Sequence, residues 1–159
     1  MSIKVLFVCL GNICRSPTAE GVFLKLVADA GLSKHIEVDS AGTAGWHQGR
    51  APDPRTIAVA KEQGYNLSML RARQVIAEDF EKFDYILAMD SENLRNLTHL
   101  KSVTHTGFLG LFLAFSSQKS YCEVPDPYHG DNKDFELVVG LAEDAASGLL
   151  AYIRKNHNL

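Results

Sequence analysis

Cys9 and Arg15 frame the run Cys9-Leu10-Gly11-Asn12-Ile13-Cys14-Arg15-Ser16, a cysteine followed by five residues, an arginine and a serine. A thiolate is a strong nucleophile, and a guanidinium offers a planar fork that matches two oxygens of a tetrahedral oxyanion. Gly11 and Asn12 tolerate positive φ, so both are expected to curl the loop until its backbone N–H groups point inward as an anion nest. Leu10, Gly11, Asn12, Ile13, Cys14, Arg15 and Ser16 then form a candidate cradle for a tetrahedral dianion. The same positive potential favours the thiolate form of Cys9, so binding and activation of the nucleophile arise from one loop.

A cysteine that closes an apolar strand is most often a small buried hydrophobe. Context argues otherwise here, because the motif sits between a predicted strand and a predicted helix, where such chemistry needs it. A second candidate is Asp126, flanked by Pro125 and Pro127. Alone it would read as a turn residue; paired with Cys9 it is a carboxylate on a stiffened loop, suited to general acid catalysis.

The elements that must position these residues are legible in the hydrophobic pattern. Ile3 to Val8 is nearly continuously apolar, as in a parallel strand covered on both faces. Ser16-Pro17 predicts a helix N-cap with proline at the first helical position, and the helix runs to Gly31. Further strands are predicted at Ile36 to Asp39, Phe83 to Met89 and Thr106 to Leu109, and further helices from Asp53-Pro54 to Gly64 and from Ser91 to Leu97. Phe135, Val138, Val139, Ala142, Ala146, Leu149, Leu150 and Ile153 keep helical spacing over about five turns. Alternating strands and helices imply a single α/β domain over residues 1–159, a three-layer sandwich with a mostly parallel sheet. Ligands of such sheets bind beyond the carboxyl ends of the strands, where Cys9 to Ser16 lies.

Composition narrows the function classes. The 159 residues are 46% hydrophobic and 22% charged, with a net charge of −3, so no global field attracts nucleic acid or an anionic membrane. Three cysteines, Cys9, Cys14 and Cys122, point to a reducing, cytoplasmic setting rather than a disulfide framework. No apolar run approaches the ~20 residues of a membrane span. The loop lacks G-x-G-x-x-G and G-K-[ST], and the cysteines and histidines lack metal-ligand spacing, so neither a nucleotide nor a metal is expected.

With these residues in view, the chain resembles the low-molecular-weight protein tyrosine phosphatases over essentially its whole length. Val8 to Pro17 is close to that family's signature, and Asp126-Pro127-Tyr128 matches its distal loop. Ser40-Ala41-Gly42-Thr43, Ala72-Arg73-Gln74 and Phe83-Asp84-Tyr85-Ile86 match intervening segments. The resemblance implies a four-stranded parallel sheet, hydrolysis of phosphotyrosine through a phosphocysteine on Cys9, phosphate binding by Arg15 and the loop amides, and Asp126 as acid and then base. It implies no cofactor, phosphotyrosine proteins or peptides as partners, and inorganic phosphate, sulfate or vanadate as pocket ligands. A monomer is expected, with weak dimerisation open.

The family also places Trp46, Tyr128 and position 129 at the pocket rim, where aromatic walls select phosphotyrosine by depth. Here position 129 is His129 instead of a second aromatic, leaving Tyr128 as the one candidate of that pair for regulatory phosphorylation. Leu70 stands where the family often has a histidine that braces the phosphate loop, so Asn12 needs another partner, for which Ser40 is the candidate. In the family Cys14 can form a reversible disulfide with the nucleophile; Cys122 has no assigned role. Same-fold alternatives are an arsenate reductase, which needs further cysteines absent between Cys14 and Cys122, and a phosphoarginine phosphatase, with threonine in place of Ile13. A catalytically silent phosphoprotein-binding module is the alternative of a different class.

Overall fold

Ile3–Cys9 forms β1, an interior strand of a four-stranded sheet in the order β2-β1-β3-β4, with every neighbouring pair parallel. The other strands are β2 (Ile36–Gly42), β3 (Tyr85–Ala88) and β4 (Phe108–Leu111). This computed structural model describes all residues, 1–159. Because side chains alternate across a strand, Val5, Phe7 and Cys9 share one face with Tyr85 and Leu87 and pack under α1 (Arg15–Asp29) and α5 (Asn132–His157). Leu6, Val8, Ile86 and Ala88 occupy the other face, under Phe80 of α3 (Asp79–Lys82) and Leu97 of α4 (Ser91–Leu100). A strand apolar on both sides therefore ends in a three-layer α/β sandwich, as expected. Phe7 anchors the first layer edge-on to Phe23 at 5.6 Å and Phe112 at 5.0 Å. The remaining helix, α2 (Pro54–Glu62), starts at Asp53, whose carboxylate caps the Arg55 N–H.

Several boundaries differ from the sequence expectation, each for a local reason. Ser16 is not the N-cap of α1: Cys14 holds that position, Pro17 is the third helical residue, and the Ser16 hydroxyl turns into the core instead. β2 continues to Gly42 because its register with β1 runs without a break from Ile3↔Ile36 to Cys9↔Gly42. β4 begins two residues later than Thr106. Gly107 is needed at its entry, where a Cβ would stand 2.5 Å from the Asp84 carbonyl oxygen, and pairing starts only at Phe108. α5 extends to residues 132–157 through a capping box between Asp131 and Asp134. The short α3 and a 3-10 turn at Phe112–Phe115 carry too few residues to show a helical period. No helix is long and apolar enough to cross a membrane.

Candidate active site

β1 delivers Cys9 to the carboxyl edge of the sheet, where the residue is only 2% exposed. Asn12 supplies the sharp bend that follows, with φ at +57°; Gly11, by contrast, does not take positive φ. A Cβ at Gly11 would approach Cδ2 of His47 to 3.0 Å, so any side chain there would push on that ring. The bend turns the Asn12 N–H back onto Cys9 Sγ at 3.3 Å, and the Ser16 hydroxyl lies 3.0 Å from the same sulfur. Two donors thus converge on the position where negative charge resides on a thiolate. The segment that follows β2 closes the loop from the side: Thr43 and Ala44 N–H groups donate to the carbonyls of Cys9 and Leu10.

Arg15 is the first residue of α1 and only 3% exposed. Its Nη1 donates to Asp90 Oδ2 at 2.7 Å and to the Val124 carbonyl at 3.0 Å, which fixes one edge of the fork. Nη2 faces Asp126 Oδ2 at 3.9 Å. Burial alone would lower the guanidinium pKa, but Cys9 and Asp90 beside it outweigh burial and hold it above the usual arginine value. Asp126 is half exposed and accepts the Tyr128 N–H, so its loop is an Asx-type turn as well as a carrier of the carboxylate.

These groups surround one cavity of about 250 Å³, with Cys9, Leu10, Gly11, Ile13, Cys14 and Arg15 in its floor and Asp126, Tyr128, His129, Trp46 and His47 around its mouth. Trp46 is 73% exposed and Tyr128 41%, so the aromatic rim faces solvent and Trp46 is not core packing. Arg55 stacks over the Tyr128 ring at 5.4 Å, and His129 meets that ring edge-on at 5.0 Å. The side chains of Asn12 and Ser16 are buried and bonded to each other and do not line the cavity; what these two residues were expected to offer an anion is their backbone N–H groups. Cys14 does line the floor, and burial pushes its thiol up to about 12.

Sequence reasoning missed Asp90, which caps α4 and holds Arg15 across 75 positions. Its signal was available: an aspartate at the end of the third strand and before a helix lies on the same carboxyl edge as Cys9. Asn12 finds the partner anticipated for it, donating to Ser40 Oγ at 2.9 Å, and its Oδ1 accepts the Arg73 N–H at 3.0 Å. A serine and a backbone N–H thus hold the Asn12 amide in a chain that has Leu70 at the position of the expected histidine.

Fold and site together define an α/β protein with a cysteine-centred loop at the carboxyl edge of its parallel sheet. Residues 4–159 match the family described as low molecular weight phosphotyrosine protein phosphatase. The chain is 42% identical over 157 residues, 99% of both chains, to the Bacillus subtilis low molecular weight protein-tyrosine-phosphatase YfkJ. A protein tyrosine phosphatase from Entamoeba histolytica, with Hepes in its active site, superposes with a TM-score of 0.94 at 39% identity, covering 98% of this chain and 99% of that one. A Drosophila arginine phosphatase also superposes, at a TM-score of 0.90 and 32% identity, covering 96% of this chain and 98% of that one. The chain belongs to the low molecular weight phosphotyrosine protein phosphatase family.

Proposed function

We propose that this protein hydrolyses phosphotyrosine in proteins or peptides by two displacements at phosphorus, with Cys9 as nucleophile and Asp126 as acid and then base. The observation that carries the reading is the convergence of Cys9 Sγ, the Arg15 fork and the Asp126 carboxylate on one cavity, with Arg15 and Asp126 3.9 Å apart. In the first step the Cys9 sulfur forms a bond to phosphorus as the phosphorus–aryl oxygen bond breaks, and Asp126 gives its proton to the departing phenolate. In the second, water forms a bond to phosphorus as the sulfur–phosphorus bond breaks, and its proton passes to Asp126. The sulfur leaves as a thiolate, for which the Ser16 hydroxyl and the Asn12 N–H are already placed. Arg15 and the loop amides hold the equatorial oxygens through both steps, where positioning and electrostatics lower the barrier.

Substrate class follows from the walls. Trp46 and Tyr128 flank the entrance with aromatic surface that an aryl phosphate ester can fill and a short serine ester cannot. Ile13 contributes an apolar wall with no acceptor for a guanidinium, which favours an aryl ring over phosphoarginine. No cysteine lies between Cys14 and Cys122 to relay electrons as an arsenate reductase requires. Cys14, beside Cys9 in the floor, is assigned the role of capturing an oxidised Cys9 as a disulfide.

Turnover of phosphotyrosine, phosphoserine and phosphoarginine peptides, with Cys9→Ser as control, tests the reading. Hydrolysis of phosphotyrosine alone, abolished by Cys9→Ser, is expected. Preference for phosphoarginine would overturn the substrate class, and failure on all three would leave a phosphoprotein-binding module.

A further inference from the structure

The hydrogen bonds behind the phosphate loop do not end at Ser16. Asn12 Nδ2 donates both to Ser16 Oγ at 2.8 Å and to Ser40 Oγ at 2.9 Å, while its Oδ1 accepts the Arg73 N–H at 3.0 Å. That last contact fixes the amide orientation, so both amide protons point outward and each serine oxygen must accept. The Ser40 hydroxyl then has its own proton to give, and it gives it to Glu20 Oε1 at 2.6 Å. At the other end the Ser16 hydroxyl has its own proton to give, with Cys9 Sγ at 3.0 Å as the nearer acceptor and the Ala41 carbonyl at 3.4 Å as the farther one. A continuous chain, Glu20, Ser40, Asn12, Ser16 and Cys9, thus joins a carboxyl group on α1 to the sulfur, and every member is at most 6% exposed.

Glu20 has no cation of its own. The charged groups that face it are Asp39 on β2 and the Arg73 guanidinium, and Arg73 is already shared by Asp39 at 3.0 Å and Asp79 at 3.0 Å. Glu20 is therefore a third carboxyl beside one cation, held in the protein interior by a serine.

We propose that Glu20 is a positioning residue that sets the pH response of the Cys9 loop, acting through Ser40 and Asn12. The proposal rests on Cys9 being the nucleophile of the reaction proposed above. With Glu20 ionised, the bond from Ser40 is charge-assisted, the Ser40 oxygen becomes a better acceptor, and Asn12 is held more firmly in its strained φ. Protonation replaces that bond with a neutral, weaker one and loosens the anchor. Burial pushes the Glu20 carboxyl up to about 7, against the opposing pull of the Ser40 bond, so the two forms exchange around neutrality.

The test reads Cys9 directly. Iodoacetamide alkylation of Cys9, followed by peptide mass spectrometry across a pH series in the intact protein, does not need turnover. The wild-type rate profile should contain a step of about threefold near neutrality, the size expected when a charge-assisted bond is exchanged for a neutral one within a chain. Both Glu20→Gln, which keeps the shape, and Ser40→Ala, which cuts the chain, should remove that step. A purely structural role would change the level of the profile and leave the step in place. Superposition of the Glu20→Gln and wild-type profiles would overturn the proposal. So would loss of the step in Glu20→Gln with its retention in Ser40→Ala. If Glu20→Gln does not fold, Ser40→Ala decides alone by the same criterion. A step that depends on both residues in a protein without phosphatase activity would sustain this proposal while defeating the reaction assigned above.

Discussion

Arg15 Nη1 and Asp90 Oδ2 lie 2.7 Å apart, joining the first residue of α1 to the N-cap of α4 in a pocket where Arg15 is almost wholly buried. One carboxylate thereby fixes the fork at the wall of the cavity and compensates a buried cation. The two duties separate by substitution. Asp90→Asn keeps an acceptor and should fold, with kcat/KM on aryl phosphates reduced about tenfold as the fork loses its charged anchor. Asp90→Ala leaves the guanidinium uncompensated and should cost about 3 kcal/mol in urea unfolding. Equal stability of Asp90→Ala and wild type would show that Val124 and Asp126 suffice to hold Arg15.

Asp126→Ala should reduce kcat most for phenyl phosphate and least for an activated aryl phosphate whose phenolate leaves without protonation. A loss of about a hundredfold on the poor leaving group is expected, from the usual size of general acid catalysis. Equal losses on both substrates would remove Asp126 from the acid role.

The buried Glu20 makes a thermodynamic prediction independent of activity. Its carboxyl is raised from 4.5 to about 7 in the fold, so the folded state binds the proton more tightly than the unfolded chain. The favourable contribution is complete below the unfolded value and is lost as pH rises from there through about 7, by at most about 3 kcal/mol. Glu20→Gln should therefore be no more stable than wild type near the lower limit of that window and more stable above its upper limit. Urea titrations at the two ends measure the difference, and parallel pH dependences for the two proteins would contradict it.

Gly42 lies where β2 passes the phosphate loop. A Cβ there would stand 2.7 Å from the Leu10 carbonyl oxygen, 3.0 Å from that of Ala44 and 3.1 Å from the Asn12 nitrogen. These are backbone atoms and cannot turn aside, so Gly42→Ala should displace the loop, costing about 2 kcal/mol of stability and at least about tenfold in kcat/KM. A crystal structure or thermal denaturation with kinetics of the variant checks both. Wild-type kinetics in Gly42→Ala would mean the loop shifts without consequence.

Cys14 is held as a thiol by burial, pushed up to about 12, whereas Cys122 is exposed. Peroxide inactivation of the wild type should be reversed by dithiothreitol through a Cys9–Cys14 disulfide, and Cys14→Ser should be inactivated without recovery. Irreversible loss in the wild type would remove Cys14 from the protective role.

The fold was readable wherever a face is long and periodic. β1 is apolar at consecutive positions because both its faces are covered, and α5 keeps its stripe over 26 residues, so each declares itself without reference to the rest of the chain. Four-residue elements such as α3 and β4 carry no period, and their limits are set by partners: β4 by its pairing with β3, and its entry by the Asp84 carbonyl beside Gly107. Ser16-Pro17 misled because a Ser-Pro pair is tolerated within the first turn of a helix as well as at its start; here the hydroxyl lies beside the Cys9 sulfur instead of capping the helix.

The local part of the chemistry belongs to the sequence alone. Cysteine, an asparagine suited to the left-handed bend, arginine and a helix start follow one another within eight residues, and short-range sterics favour the turn that brings the Asn12 N–H back onto Cys9. Folding alone decided what surrounds it. Asp90 reaches Arg15 across 75 positions, Ser40 reaches Asn12 across 28, and Asp126 arrives from the far end of the chain, because parallel strands place all their carboxyl ends along one edge. Sequence spacing carries no record of which residues that edge will gather, nor of which carboxyl group will be left in the interior with a serine for its partner.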